Sequence, residues 1–108
     1  MRFLTIARHK DLLYSLTPQK RAEVLTATTA FIDKYLKAGK LKEIYFHSDM
    51  KGSIGIWEFQ SGEEAGRLVL ENPLISFLDV EITPLIEYDV GKKLRMEALE
   101  KAAKAPTQ

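Results

Sequence analysis

Apolar residues along this chain change their spacing several times, and each spacing predicts an element. Phe3 to Ala7 form a short apolar run bounded by charge, which predicts a buried strand over about Arg2 to Arg8. His9 to Leu16 show no period and read as a connection. Thr17-Pro18 predicts a helix start, because the threonine hydroxyl can cap free amides and proline is tolerated where no donor is needed. Ala22, Leu25, Thr29, Ile32 and Leu36 then recur at helical spacing, widened by Val24, Phe31 and Tyr35, until Gly39 supplies a stop. Leu41 to Ser48 and Ser53 to Gln60 read as two strands around the turn Asp49-Met50-Lys51-Gly52. Ser61-Gly62-Glu63-Glu64 has the form of a capping box, and Pro73 ends the helix it opens. Leu78, Val80 and Ile82 alternate with polar residues in a last strand, where Pro84 predicts a bend or a sheet edge. Lys92 to Lys104, after Gly91, read as a further helix with a thin stripe of Leu94, Leu99 and Ala103, and Ala105 to Gln108 as a frayed end.

The order β-α-β-β-α-β predicts a ferredoxin-like α+β domain over residues 1–90: a four-stranded antiparallel sheet with both helices on one face. Residues 91–108 add a C-terminal helix and tail. Pairing Ser48 with Ser53 sets Ile44 opposite Trp57, Phe46 opposite Gly55 and Glu43 opposite Glu58. One side of the hairpin then carries Ile44, Phe46, Gly55, Trp57 and Phe59, expected under the helices. The other carries Glu43, Tyr45, His47, Ile54, Ile56 and Glu58. Tyr45, Ile54 and Ile56 on an uncovered face call for a partner, and a dimer closing two such faces over a cavity is the simplest one.

Composition removes several alternatives. With 108 residues the chain is one domain in size. Its 16 basic and 15 acidic residues give a net charge of +1, which offers no attraction for nucleic acid or an anionic membrane. No cysteine is present, so disulfide and thiolate chemistry are out. The start of the chain lacks a signal-like apolar run, and the expected location is the cytoplasm.

From Gly39 to Tyr88 the chain resembles the muconolactone isomerases. The resemblance rests on Trp57-Glu58-Phe59-x-Ser61 before the second helix, and on Pro73-Leu74 followed by Phe77-Leu78-Asp79-Val80-Glu81-Ile82. It implies a dimeric α+β barrel, assembly into higher oligomers, and a cofactor-free shift of a lactone double bond by moving a proton. One departure lies in the first strand, which offers Leu4 and Ile6 where the resemblance implies ionisable side chains.

Candidate chemistry follows from the open face. Glu43 and Glu58, set opposite each other, could have their pKa values pushed apart and serve as base and acid, or they could be a solvated pair beside Arg8 or a lysine. His47 is placed for proton transfer but sits beside a turn, where histidines are more often simply exposed. Tyr45 could donate to a carbonyl or enolate oxygen, or form a wall or dimer contact. Leu4, Ile6, Arg8, Ile54, Ile56 and Glu81 would line the space, with His9 at its mouth. The histidines make no metal-ligand spacing with the carboxylates, and no phosphate loop or catalytic triad is present. The expected function is a cofactor-independent isomerisation, rearrangement or cyclisation of a small oxygenated molecule. The alternatives are a non-catalytic ligand-binding or oligomerisation protein and a cofactor-free oxygenase or haem-binding barrel.

Overall fold

The computed structural model describes residues 1–104; the expected fraying of the last four lies outside them. In chain order the elements are β1 (Arg2–His9), α1 (Asp11–Tyr14), α2 (Pro18–Lys37), β2 (Leu41–Phe46), β3 (Gly52–Glu58), α3 (Gly62–Glu71), a 3-10 turn (Ile75–Phe77), β4 (Leu78–Pro84) and α4 (Tyr88–Lys104). The sheet order is β2-β3-β1-β4 with every neighbouring pair antiparallel. This is the predicted α+β arrangement, with a C-terminal helix added. No helix among the described residues is long and apolar enough to cross a membrane.

The local signals act as chemistry requires. Thr17 accepts a hydrogen bond from the Lys20 amide at 3.2 Å, with Pro18 at the first helical position. Gly39 leaves α2 in the left-handed region at φ 76°. Ser61 accepts from the Glu64 amide at 3.2 Å, while the Glu64 carboxylate takes the Gln60 amide at 2.7 Å and pairs with Lys40. Pro84 lies on the edge strand β4.

Several expectations need correction. Residues 9–16 are not a plain connection: α1 is one turn, too short to show a period, and it is held because Leu13 is fully buried with Leu74 and Leu78. The hairpin register is shifted by two residues. Its closing pair is His47 and Gly52, with the His47 amide 2.9 Å from the Gly52 oxygen and a four-residue loop beyond. Gly52 therefore belongs to a strand, and the left-handed turn residue is Met50, at φ 61°. A bulge between Leu41 and Glu43 restores contact with Trp57, so Ile44 faces Gly55, Phe46 faces Ser53, and Glu43 faces Ile56 instead of Glu58. Because the shift is even, each side chain keeps its face. Phe46 is nonetheless exposed, although it lines a space shared with Thr29, Ile32 and Leu36 of α2. Helix α4 starts at Tyr88, so Gly91 is inside it, and it buries no residue of its own. Leu94 and Leu99 are left exposed.

A cavity under the helices

The covered face of the sheet changes in size along the strands. At one end Phe3 pairs with Trp57; in the middle Thr5 pairs with Gly55; at the other end Ala7 pairs with Ser53. The large end is filled. Trp57 stacks on Phe59 at 5.4 Å, Phe3 meets Phe59 at 5.5 Å, and Tyr35 of α2 closes on Trp57 at 5.9 Å. Gly55 is part of this packing. A β-carbon there would come within 2.8 Å of the Trp57 indole nitrogen and 2.9 Å of Thr5 Oγ1, the two atoms that share a 3.0 Å hydrogen bond. At the small end the same helix spans short side chains, and a cavity of about 490 Å³ remains between α2 and the sheet. That volume suits a small organic molecule.

The apolar lining of the cavity comes from Leu25 and Ile32 of α2 and from Leu74 and Leu78, while its mouth is polar, with His9, Tyr14, Arg21, Asp49 and Lys51. Three segments are tied together to make that mouth. The His9 amide donates to the Lys51 oxygen at 2.9 Å and the Lys10 amide to the Phe77 oxygen at 2.7 Å. His9 Nδ1 and the Tyr14 hydroxyl lie 2.8 Å apart in a hydrogen bond. Arg21 sits 5.7 Å from the Tyr14 ring centroid and Lys51 5.8 Å from it, so two cations flank this phenol. Burial pushes the His9 imidazole below the ordinary value of 6.5, against an opposing pull from the Asp49 charge. Asp49 is held ionised, first by the Lys51 amide that it accepts at 2.9 Å. A neutral imidazole beside a fixed carboxylate can accept a proton and have the resulting cation stabilised.

Asn72 lines the same cavity from the end of α3. Its Oδ1 accepts the Leu74 amide at 2.9 Å, which fixes the orientation of the amide and leaves the Nδ2 hydrogens as its donors to a guest. Ser53 and Thr28 add hydroxyls to the wall, although Thr28 Oγ1 already donates to the Val24 oxygen at 2.9 Å.

Of the residues singled out in the sequence, His9 is the one the structure brings to this cavity. Leu4, Ile6, Ile54 and Ile56 lie together on the open face, as alternation requires, with Arg8 and Glu81 at the same side of the sheet. Glu43, Ile56 and Glu58 line a separate open-face pocket of about 390 Å³. There Glu58 takes the N-terminal ammonium at 2.9 Å and lies 3.6 Å from Arg2, and these cations hold its carboxyl below the usual range. Glu43 accepts the Tyr45 hydroxyl at 2.9 Å, which raises the phenol. His47 Nδ1 is buried without a hydrogen-bond partner. Tyr14, Arg21, Asp49, Lys51, Ser53 and Asn72 were not singled out. The alternation of β1 does carry a signal, since it puts His9 on the face of Phe3, Thr5 and Ala7. Among the described residues no group of three or more histidine and carboxylate side chains is arranged to hold a metal ion.

The fold and cavity together define a ferredoxin-like α+β domain with a chamber sized for a small molecule. The family model for muconolactone delta-isomerase matches residues 1–90, and the chain belongs to that family. It is 26% identical over 73 residues to a muconolactone delta-isomerase of Rhodococcus opacus, covering 68% of this chain and 78% of that one. A crystal structure of muconolactone isomerase superposes with a TM-score of 0.71 at 13% identity, over 82% of this chain and 91% of the other. A 5-chloro-2-hydroxyhydroquinone dehydrochlorinase from Burkholderia phenoliruptrix, in complex with 2,5-dihydroxybenzoquinone, superposes with a TM-score of 0.61 at 20% identity, over 83% and 98%. Most of α4 lies beyond the family match.

Proposed function

We propose that the chain is a cofactor-independent enzyme that moves a proton within a small oxygenated organic molecule, a lactone or related ring, held between α2 and the sheet. The observation that carries this reading is the hydrogen-bonded His9–Tyr14 pair at the mouth of an apolar cavity, with the imidazole biased toward its neutral form. His9 removes a proton from carbon next to a carbonyl. The electrons move onto the carbonyl oxygen, and the proton returns to a different carbon, so the double bond shifts and no other reactant is consumed. Arg21 and Lys51 hold the anionic end of the molecule, and the Asn72 amide is a donor for the enolate oxygen. Family membership and the enzymes among the relatives favour catalysis over simple ligand binding.

Proton exchange tests this directly. With a small lactone in deuterated buffer, the protein should catalyse label uptake at the acidic carbon, and His9→Gln should slow it about 10²- to 10⁴-fold. No uptake with any lactone or quinone, or full turnover by His9→Gln, would overturn the reading. A second reading places the proton shift in the open-face pocket, where Glu43 and Glu58 both stand. In that case Glu58→Gln loses turnover and His9→Gln does not.

We further propose that the open face closes against a second copy. Leu4, Ile6, Ile54 and Ile56 form an apolar centre that is only half-buried among the described residues. Sedimentation at micromolar concentration should show a dimer or larger species; a lone 12.3 kDa species would refute this.

A further inference from the structure

A second, smaller cavity of about 50 Å³ adjoins the first. The two share Ala7, Ile32, Ser53 and Asn72, so little more than these side chains separates them. Beyond that boundary the inner wall is mostly hydrocarbon, from Phe31, Ile44, Trp57, Phe59, Val69 and Val80, and its one hydroxyl, Thr5 Oγ1, already accepts from the Trp57 indole at 3.0 Å and donates to the Gly55 oxygen at 3.5 Å. Water gains little in such a space, because it needs two to four polar partners. The hollow also stands beside the best-packed part of the core, where unfilled volume costs stability. A group of water size takes about 30 Å³, so the inner cavity has room for one or two groups of that size.

We propose that this inner cavity is a specificity subsite for an apolar substituent, methyl- to ethyl-sized or a halogen, on a molecule whose oxygenated end stays at His9, Tyr14 and Arg21. The proposal rests on the reading of the outer cavity as the substrate site. The molecule it selects is a small carboxylate or enol with a hydrocarbon or halogen group on the far side of the ring. Ser53 and Asn72 stand at the boundary, where the ring itself passes, and the hydrocarbon wall beyond them disfavours a charged group, which would lose its hydration there.

Benzoates serve as probes, with binding followed by amide chemical shifts on the full chain. Wild type should bind 4-methylbenzoate about fourfold tighter than benzoate, the increment for burying one methylene-sized group, and should bind 4-carboxybenzoate more weakly than either. Val69→Phe and Val80→Phe, made separately, should each erase the methyl preference while keeping benzoate affinity. Arg21→Ala should weaken every benzoate and leave the preference intact. Equal affinity across the series in wild type, or a preference that survives both filling variants, overturns the subsite alone. Failure of any benzoate to shift the amides of His9 and Tyr14 overturns both the subsite and the reading it rests on. The wild-type series needs no variant, so misfolding of a filled chain cannot rescue the idea.

Discussion

The two ends of the covered sheet face lie under the same helix and differ in kind. Under the C-terminal half of α2, the Phe3, Trp57 and Phe59 rings leave only the inner cavity of about 50 Å³. Under its N-terminal half, Ala7 and Ser53 hold the position of those rings, and Leu13, Leu74 and Leu78 close only the far side. The backbone pairing continues unbroken from one end to the other. The difference is therefore written in side-chain volume, not in topology: the large pair Phe3–Trp57 gives way to the small pairs Thr5–Gly55 and Ala7–Ser53, and the helix, fixed by its packed end, cannot follow them down. A rigid roof over a stepped floor makes a chamber without any insertion or distortion.

If that account is right, substitutions at the two ends have opposite signatures. Phe59→Ala at the packed end should cost about 3–5 kcal/mol in denaturant unfolding, the range for emptying a buried aromatic site. A loss below about 1 kcal/mol would mean the packed end does not hold the roof. At the hollow end, Ala7→Leu should change stability by less than about 1.5 kcal/mol, since there is volume to accept it, yet remove ligand binding. A large stability loss there would show that the cavity is not open to its own wall.

A subtler difference appears with pH. Because burial lowers the His9 pKa in the fold, the unfolded chain binds that proton more readily. Stability should fall as the pH drops from 6.5 through the lowered value, and His9→Gln should flatten the curve in that window. Asp49, Glu58 and Glu64 are shifted downward and give up their contributions only at lower pH, below 4.5. A wild-type melting temperature that is level between pH 6.5 and 5 would contradict the burial of His9. The smallest effect belongs to the loop at the cavity mouth. Met50 is held at φ 61°, a region a side chain enters at a cost, so Met50→Gly should raise stability by at most about 1 kcal/mol. A decrease would show that the Met50 side chain contributes more than its backbone loses.

Much of this architecture was legible in the residues. Thr17-Pro18, Gly39 and Ser61 to Glu64 are local signals whose chemistry acts within one turn, and they place the helices well. Alternation gave the faces of the strands correctly, because an even slip in register cannot move a side chain across a sheet. The register itself depended on whether the loop closed at Ser48 or His47, and Met50 taking a left-handed conformation is not a sequence signal. The site was harder. The open face advertises itself through Ile54, Ile56 and Tyr45, whereas a gap under a helix is visible only when Ala7, Ser53 and the height of α2 are known together. His9 was expected at the mouth of the open-face space, and the structure puts it on the opposite side of the sheet, beside the cavity under α2. Tyr14 and Arg21 belong to a one-turn helix and the start of α2, and only the folded chain brings them to His9.

Helix α4 has a consequence of reach. Its 17 residues extend a structure that measures 65 Å along its longest axis and 25 Å along its shortest, with Leu94 and Leu99 uncovered on the way. At 1.5 Å per residue, Leu99 lies about 17 Å along the helix from Tyr88. A surface that met those leucines would thus be set at a fixed distance and a fixed azimuth from the sheet. Inserting a single turn after Gly91 would move it outward by about 5.4 Å with little rotation, whereas inserting two residues would swing it to the opposite side of the helix axis. The helix is a ruler, and its phase matters as much as its length.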